Sequence, residues 1–329
     1  MKNLALAAAI LLAAAPALAA PLKLHPGLSM TTSVYDGLDS NGNRSGDYET
    51  VNTVTAVSNG SYSYSYRFIA GDKSHGVSPN NGTQTVFAED NKHAALMRAF
   101  WPSGDQTAKG YLGAFRLSDD VYRSIKAGKD TKLEYDAGDS PHSVRKTGEE
   151  DLTILINEQP TKVHTLVVKS PAQSTFWILD NPDLSIMVKG ETKTKWVVTS
   201  LNDAGSDGGA IVASLKASGE ATTHAILFGS NSADVDATAK PVLDSVAQYL
   251  KANPSIRLEV QGHTDSIGGA TSNLALSQSR AEAVKAALVA DGVMATRLIP
   301  KGYGLTLPVA DNRDPEGRAR NRRVVFKQL

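Results

Sequence analysis

Apolar and polar side chains alternate between residues 51 and 68, which is the pattern of β-strands. Four aromatic residues from Tyr62 to Phe68 alternate with polar ones, so one face of this predicted strand is aromatic. Asn59-Gly60 separates it from the run Val51–Ser58. An Asn-Gly pair readily adopts the positive φ angles of a tight turn. The pattern therefore predicts a β-hairpin whose aromatic face belongs to a core.

Short apolar runs later in the same region predict more strands, and one segment predicts a helix. Ser118 is placed to cap this helix, with two aspartates in its first turn and Gly128 at its end. The predicted strands are Leu152–Asn157, Val163–Lys169, Thr175–Leu179, Ser185–Val188 and Lys195–Thr199. Residues 21–202 are therefore predicted to form a β-rich domain.

The chain changes character between residues 203 and 220, where glycine, serine and aspartate predominate. Such residues leave the backbone free and bury little surface, so we predict a linker. From residue 221 onward the pattern alternates between strands and helices. Predicted strands are Ala225–Phe228, Ile256–Val260, Leu298–Tyr303 and Arg322–Lys327. One predicted helix follows Asp234 or Asp236, a second begins with Asn273 as its N-cap, and a short third lies near Pro315–Arg320. The fold class is thus α+β, a β-rich domain followed by an α/β sandwich (221–329) with helices on one face of a small mixed sheet.

The N-terminus has the pattern of an export signal. Lys2 precedes a 12-residue apolar run, Leu4–Ala15, and a small-x-small exit at Ala17–Ala19. The run is shorter than the about 20 residues that cross a bilayer, which favours a cleaved signal peptide over an uncleaved anchor. Residues 1–20 are therefore predicted to be a signal peptide and the mature chain to be exported.

Composition excludes several classes of protein. The chain has no cysteine, which rules out disulfides, thiolate metal sites and cysteine nucleophiles. Its 34 basic and 34 acidic residues balance, which argues against a general nucleic-acid binder. The seven histidines lack the spacing of a metal site, so we expect neither a metal nor a cofactor.

Two interpretations of the β-rich region remain open. It is either a periplasmic domain or an eight-stranded outer-membrane β-barrel. Barrel strands take about 9–11 residues with one apolar face. Most of the predicted strands are shorter and interrupted by charges, which favours the periplasmic domain.

One predicted helix carries an arginine within its apolar stripe. Arg280 is spaced by four from Leu276 and Val284. An arginine at the edge of the stripe, with its methylenes on the core, is one explanation. The other is that Arg280 meets Asp265, which lies in the loop before this helix. A carboxylate and a guanidinium held apart fit a zwitterion, whose ammonium and carboxylate they would bind.

These residues resemble a known signature. The C-terminal region, about the last 110 residues, resembles the OmpA-like peptidoglycan-binding domain family. The matching positions, in order and spacing, are Gly262-His263, Thr264-Asp265, Leu276-Ser277, Arg280-Ala281, Val284, Leu288, Gly302-Tyr303-Gly304 and residues 317–324.

The resemblance implies non-covalent binding to the peptide stem of peptidoglycan, at its diaminopimelate residue, in a Gram-negative envelope. Asp265 would hold the diaminopimelate ammonium and Arg280 its carboxylate. Asn231 and Asn273 match polar positions that frame the pocket, although turn and cap roles are an equal alternative for them. Arg322 matches a further arginine in the pocket of that family. The expected location is the periplasm, on the cell wall, with the outer membrane nearby.

Residues 21–202 are a candidate for contact with an outer-membrane or periplasmic protein, whereas nucleic acid is not an expected partner. The rival function is a wall hydrolase. His263 and Asp265 are the nearest candidates for a zinc site, but two ligands leave it incomplete. The chain also lacks Gly-x-Ser-x-Gly, Ser-x-x-Lys and His-Glu-x-x-His motifs, so we expect no enzyme.

Overall fold

The computed structural model describes residues 22–35, 48–69, 81–97, 109–133, 142–171, 173–192, 195–202, 206–229 and 232–329. The predicted signal peptide (1–20) and Asn231 lie outside these residues. In the described ranges, no helix is both long and apolar enough to cross a membrane. The structure has a large N-terminal sheet and a smaller C-terminal sheet with helices, so the mixed α+β character is confirmed.

Twelve strands and two short helices make up the described part of the N-terminal domain. The strands are β1 Ser29–Tyr35, β2 Tyr48–Ser58, β3 Ser61–Ile69, β4 Asn81–Val86, β5 Leu96–Met97, β6 Tyr111–Leu112, β7 Thr131–Leu133, β8 His142–Ile156, β9 Gln159–Lys169, β10 Thr175–Leu179, β11 Met187–Glu191 and β12 Lys195–Asn202, and the helices are α1 Ala88–His93 and α2 Asp119–Lys126. Ten strands form one sheet in the order β4-β3-β2-β1-β12-β11-β10-β9-β8-β7. The sheet curls so that β12 also pairs with β8, in parallel.

The predicted hairpin is confirmed. Asn59 and Gly60 have φ angles of 50° and 78° and join β2 to β3. Tyr62, Tyr64 and Tyr66 are at most 2% exposed, so the aromatic face of β3 is core. The buried Tyr64 hydroxyl donates to Gln84 Oε1 at 2.8 Å, which satisfies its polar atom.

The helix predicted after Ser118 is also confirmed. The Ser118 hydroxyl accepts a hydrogen bond from the Val121 N–H at 3.4 Å, and Gly128 follows with a φ of 68°. The strand predicted at Leu152–Asn157 is too short, because β8 begins ten residues earlier at His142. The added residues are mostly exposed and polar, so they lack an apolar pattern, yet their backbone pairs with β9.

In its described residues, the C-terminal domain contains four strands and four α-helices. They are β13 Glu220–Thr223, β14 Leu258–His263, β15 Leu298–Gly304 and β16 Arg323–Gln328, with α3 Ser206–Ser218, α4 Lys240–Ala252, α5 Ala270–Ala290 and α6 Pro315–Asn321. The sheet order is β13-β16-β14-β15, with β14 and β15 parallel and the other pairs antiparallel. Leu258 and Val260 of β14 share one core with Val284 and Leu288 of α5.

The prediction of a linker at 203–220 is wrong, because α3 occupies most of it. Ile211 and Leu215 of α3 are each 1% exposed and belong to the C-terminal core. A Cβ at Gly208 would overlap the Ser245 hydroxyl of α4, so this glycine allows the two helices to approach closely. The domain therefore begins earlier than the predicted residue 221.

Two local predictions in this domain are also wrong. Residues 225–228 form no strand: β13 precedes them, and Phe228 makes only a single bridge to Val235. Asn273 is not the N-cap of α5, because the helix begins three residues earlier after Gly269. Asp236 does act as a cap, since its carboxylate accepts from the Thr238 N–H at 2.9 Å where the turn into α4 begins.

Candidate ligand-binding site

Close packing of α5 on β14 and β15 sets the positions of the candidate residues. A Cβ at Gly262 would overlap the Ser277 carbonyl oxygen, and a Cβ at Gly302 would overlap the Gln278 backbone nitrogen. Only glycine lets the helix backbone lie this near the strands. The Ser277 hydroxyl accepts from the Gly304 N–H at 2.8 Å. These contacts hold α5 in a fixed position against β14 and β15, and so fix where the loop between β14 and α5 lies.

Asp265 lies in that loop and is 8% exposed. Its Oδ1 accepts from the Ile267 N–H at 2.9 Å, and its Oδ2 accepts from Arg322 Nη1 at 2.8 Å. Asn273 donates from Nδ2 to the Ile267 carbonyl at 2.9 Å. The loop is therefore held in one shape, with the carboxylate directed towards the end of α6.

Arg280 is a buried cation held by neutral groups. It donates from Nε to the Ser232 carbonyl at 3.0 Å and from Nη2 to the Gly229 carbonyl at 3.1 Å. Its guanidinium carbon lies 4.9 Å from the centre of the Phe228 ring, a cation–π contact. Burial lowers the pKa of Arg280 to about 10, so the side chain stays charged at neutral pH. No carboxylate among the described residues forms an ion pair with it.

Arg322, at the C-terminal end of α6, connects the two domains. Its Nη2 donates to Glu49 Oε1 on β2 and to the Ser33 hydroxyl on β1, both at 3.0 Å. Its Nη1 binds Asp265. Burial alone would lower the pKa of Arg322, but the carboxylates of Glu49 and Asp265 raise it above its usual value. Its side chain is 24% exposed.

These side chains line one cavity of about 170 Å³ between the domains. The N-terminal domain supplies the carboxylate of Glu49. The C-terminal domain supplies four arginines and two carboxylates to the lining: Arg280, Arg320, Arg322, Arg323, Asp265 and Glu316. Separated donors and acceptors of opposite charge can bind a small zwitterion.

Of the residues expected at this site, the structure brings four together: Asp265, Asn273, Arg280 and Arg322 all line the cavity. Asn273 lies within α5 and supports the loop through its bond to Ile267. Glu49 was not predicted. It stands 273 positions before Arg322, near the start of β2, where no motif marks it, so only the docking of the two domains reveals it.

His263, the other half of the rival zinc pair, is 3% exposed and stacks on Tyr303, with ring centres 5.2 Å apart. Its Nε2 lies 3.3 Å from Gln261 Oε1. Burial lowers the pKa of His263 to about 4, and the charge of Arg323 acts in the same direction. In the described part of the chain, no three potential metal ligands of the His, Cys, Asp or Glu types cluster.

Comparisons with known proteins agree with the motif. Peptidoglycan-binding protein ArfA of Mycobacterium tuberculosis is 35% identical over 177 residues, which cover 54% of this chain and 51% of ArfA. Outer membrane porin F of Pseudomonas fluorescens is 52% identical over 85 residues, 26% of this chain and 25% of the porin. The chain thus spans about half the length of ArfA and less of the porin.

Among solved structures, the peptidoglycan-associated lipoprotein from Burkholderia pseudomallei is 36% identical, with a TM-score of 0.31, and the match covers 32% of this chain and 88% of that protein. Residues 227–322 match the model of the OmpA family, and this span contains Phe228, Asp265, Arg280 and Arg322. The C-terminal third of the chain is therefore an OmpA-family domain.

Proposed function

We propose that the C-terminal domain binds peptidoglycan without covalent chemistry, at the diaminopimelate residue of the stem peptide, and thereby anchors the β-rich domain to the cell wall. The observation that carries the proposal is that the buried, charged Arg280 and the carboxylate of Asp265 line one cavity. A buried guanidinium held only by carbonyl oxygens retains a net charge that a ligand carboxylate would neutralise.

The two groups divide the ligand between them. Arg280 uses Nε and Nη2 for carbonyl oxygens, and no described residue accepts a hydrogen bond from its Nη1. The ligand carboxylate binds there. The ammonium binds at Asp265, whose carboxylate is fixed by Ile267 and Arg322. Nothing in this arrangement requires a bond to be made or broken.

Similarity to a peptidoglycan-binding protein and to an outer-membrane porin supports an envelope location. The signal peptide predicted at residues 1–20 gives the route, and the periplasm is the compartment where the wall is accessible. A site for one amino-acid side chain binds weakly, on the order of millimolar to micromolar. The wall repeats the same stem many times, so rebinding holds the protein firmly.

Co-sedimentation of the full chain with purified diaminopimelate-type sacculi tests the proposal. We expect Asp265→Ala and Arg280→Ala to bind at least about tenfold more weakly, because each removes a charged hydrogen bond worth about 1.5–3 kcal/mol. Asp265→Asn keeps an acceptor for the Ile267 N–H but removes the charge and the acceptor for Arg322, so it should lose binding while the Ile267 contact still holds the loop.

Matched controls are Asp244→Ala and Arg313→Ala, whose side chains are 40% and 88% exposed and lie outside the cavity. Both should sediment like the unaltered protein. Circular dichroism of every variant should show that the fold is retained. Undiminished sedimentation of folded Asp265→Asn and Arg280→Ala contradicts the proposal.

A further inference from the structure

We propose that the β-rich domain is a latch that closes the wall-binding pocket, with Glu49 held on Arg322 inside the cavity, where it competes with the ligand carboxylate until the two domains separate. This inference rests on the proposed function of the pocket. The hydrogen bonds that Arg322 donates to Glu49 and Ser33 are here termed the latch contact.

The latch contact and Asp265 together occupy both terminal nitrogens of Arg322. One terminal nitrogen donates to Asp265, and the other donates to both Glu49 and Ser33. The ligand carboxylate assigned to Arg280 would enter the same cavity, which Glu49 also lines. With Glu49 in the cavity, the ligand carboxylate meets a second negative charge beside the guanidinium groups, so the two carboxylates compete.

A second contact shows that the docking of the domains is specific. Glu158, in the turn between β8 and β9, is 4% exposed. Its carboxylate accepts from the Thr223 hydroxyl at 2.8 Å, from the His224 ring at 2.9 Å and from the Ala225 N–H at 3.1 Å. A buried carboxylate with this many donors is well satisfied, and exposing those donors without it is unfavourable.

Two ion pairs join the domains elsewhere. Arg67 Nε on β3 lies 2.8 Å from Asp236 Oδ2, and Lys189 Nζ on β11 lies 3.2 Å from Glu316 Oε1. The β-rich domain therefore contacts its neighbour at four separate places around the cavity. Such contacts hold a defined closed state, as a latch requires.

The size of the cavity supports closure. At about 170 Å³ it is smaller than the about 300–1,000 Å³ usual for ligand pockets. The stem peptide is also a branch of a polymer, so it must enter through a wide opening. If only the open state binds, the apparent affinity falls in proportion to the fraction of open molecules.

A different role for Glu49 gives the opposite result. If Glu49 belonged to the binding site and contacted the ligand ammonium, its removal would weaken binding. In a latch its removal strengthens binding, because the competing carboxylate is lost. The sign of the change therefore separates the two roles.

The test measures binding of full-length variants to diaminopimelate-type sacculi, together with the radius of gyration from small-angle X-ray scattering. Glu49→Gln removes the competing charge. Arg67→Glu reverses a charge that faces Asp236, and Arg67 does not line the cavity. We expect each variant to bind about fivefold or more tightly than the unaltered chain, the lower end of usual coupling between sites, and to have a larger radius of gyration.

Glu89→Gln is the matched control, since Glu89 is 77% exposed and does not line the cavity; it should change neither quantity. Unchanged or weaker binding of Glu49→Gln overturns the latch. Tighter binding of Glu49→Gln together with unchanged binding of Arg67→Glu also overturns it.

Adding Asp265→Ala to Glu49→Gln should abolish binding. If Glu49→Gln binds tightly and this double variant binds equally well, the proposed pocket is wrong; if the unaltered chain binds through Asp265 but Glu49→Gln gains nothing, only the latch is wrong.

Discussion

Arg280 shows how far a single residue can be interpreted from sequence. Its place in an apolar stripe allowed two explanations, an edge residue with its head in water or a ligand-binding group. The structure gives a buried side chain that stacks on Phe228 and donates to two carbonyls, so the edge explanation is wrong. Asp265, Arg280 and Arg322 were predictable because a local motif spaces them. Glu49 was not, because its partner is distant in sequence and on another domain.

The buried His263 makes the stability of the folded chain depend on pH. Its pKa is about 4 in the folded chain, chiefly because of burial, against 6.5 for an ordinary histidine. Between these values the unfolded chain binds a proton that the folded chain does not, so stability falls as the pH drops from 6.5 towards 4. The loss is at most about 3 kcal/mol.

His263→Phe keeps a ring against Tyr303 and removes the titration. Chemical denaturation at several pH values should show a flatter pH dependence for this variant than for the unaltered chain. Equal slopes in the two proteins would assign the pH dependence to other groups.

At the scale of elements, Gly60 and Gly208 have different structural roles that look alike in sequence. Asn59-Gly60 was correctly predicted as a turn, because its φ angles follow from the residue types. Gly208 was misinterpreted as part of a linker, because its role is a close approach to α4 that depends on tertiary packing. Elements with a clear apolar period, such as α2 and β10, were predictable; β8 was not, because backbone pairing extends it through polar residues.

Gly302 lies where β15 packs directly against the backbone of α5. We expect Gly302→Ala to destabilise the C-terminal domain by about 1–3 kcal/mol, because the added methyl group must move α5 away from β15. The shift also moves Arg280 relative to Asp265, so binding to sacculi should fall. Gly148→Ala is the control, since a Cβ there meets nothing within 4 Å. Thermal unfolding checks both, and equal stability of the two variants would contradict the packing argument.

At the scale of the whole molecule, the arrangement of the two domains determines how the pocket works. Sequence predicted two domains and the class of each, but their docking depends on Glu49, Glu158 and Arg67, which are single polar residues on strands or turns. Burial alone would raise the pKa of Glu158, but the hydrogen bonds from His224 and its neighbours lower it below the usual value. The contact therefore stabilises docking at neutral pH and weakens as the pH falls below about 4.5.

The measurement that most directly tests the central claim compares two stem peptides by NMR titration of the full chain. One peptide contains diaminopimelate, and the other contains lysine, which lacks the carboxylate assigned to Arg280. The ratio of the two affinities does not depend on how often the latch is open, because closure reduces both equally. We predict that the diaminopimelate peptide binds about tenfold or more tightly, with shifts centred on Asp265 and Arg280. Equal affinities, or shifts confined to residues away from the cavity, would contradict the account.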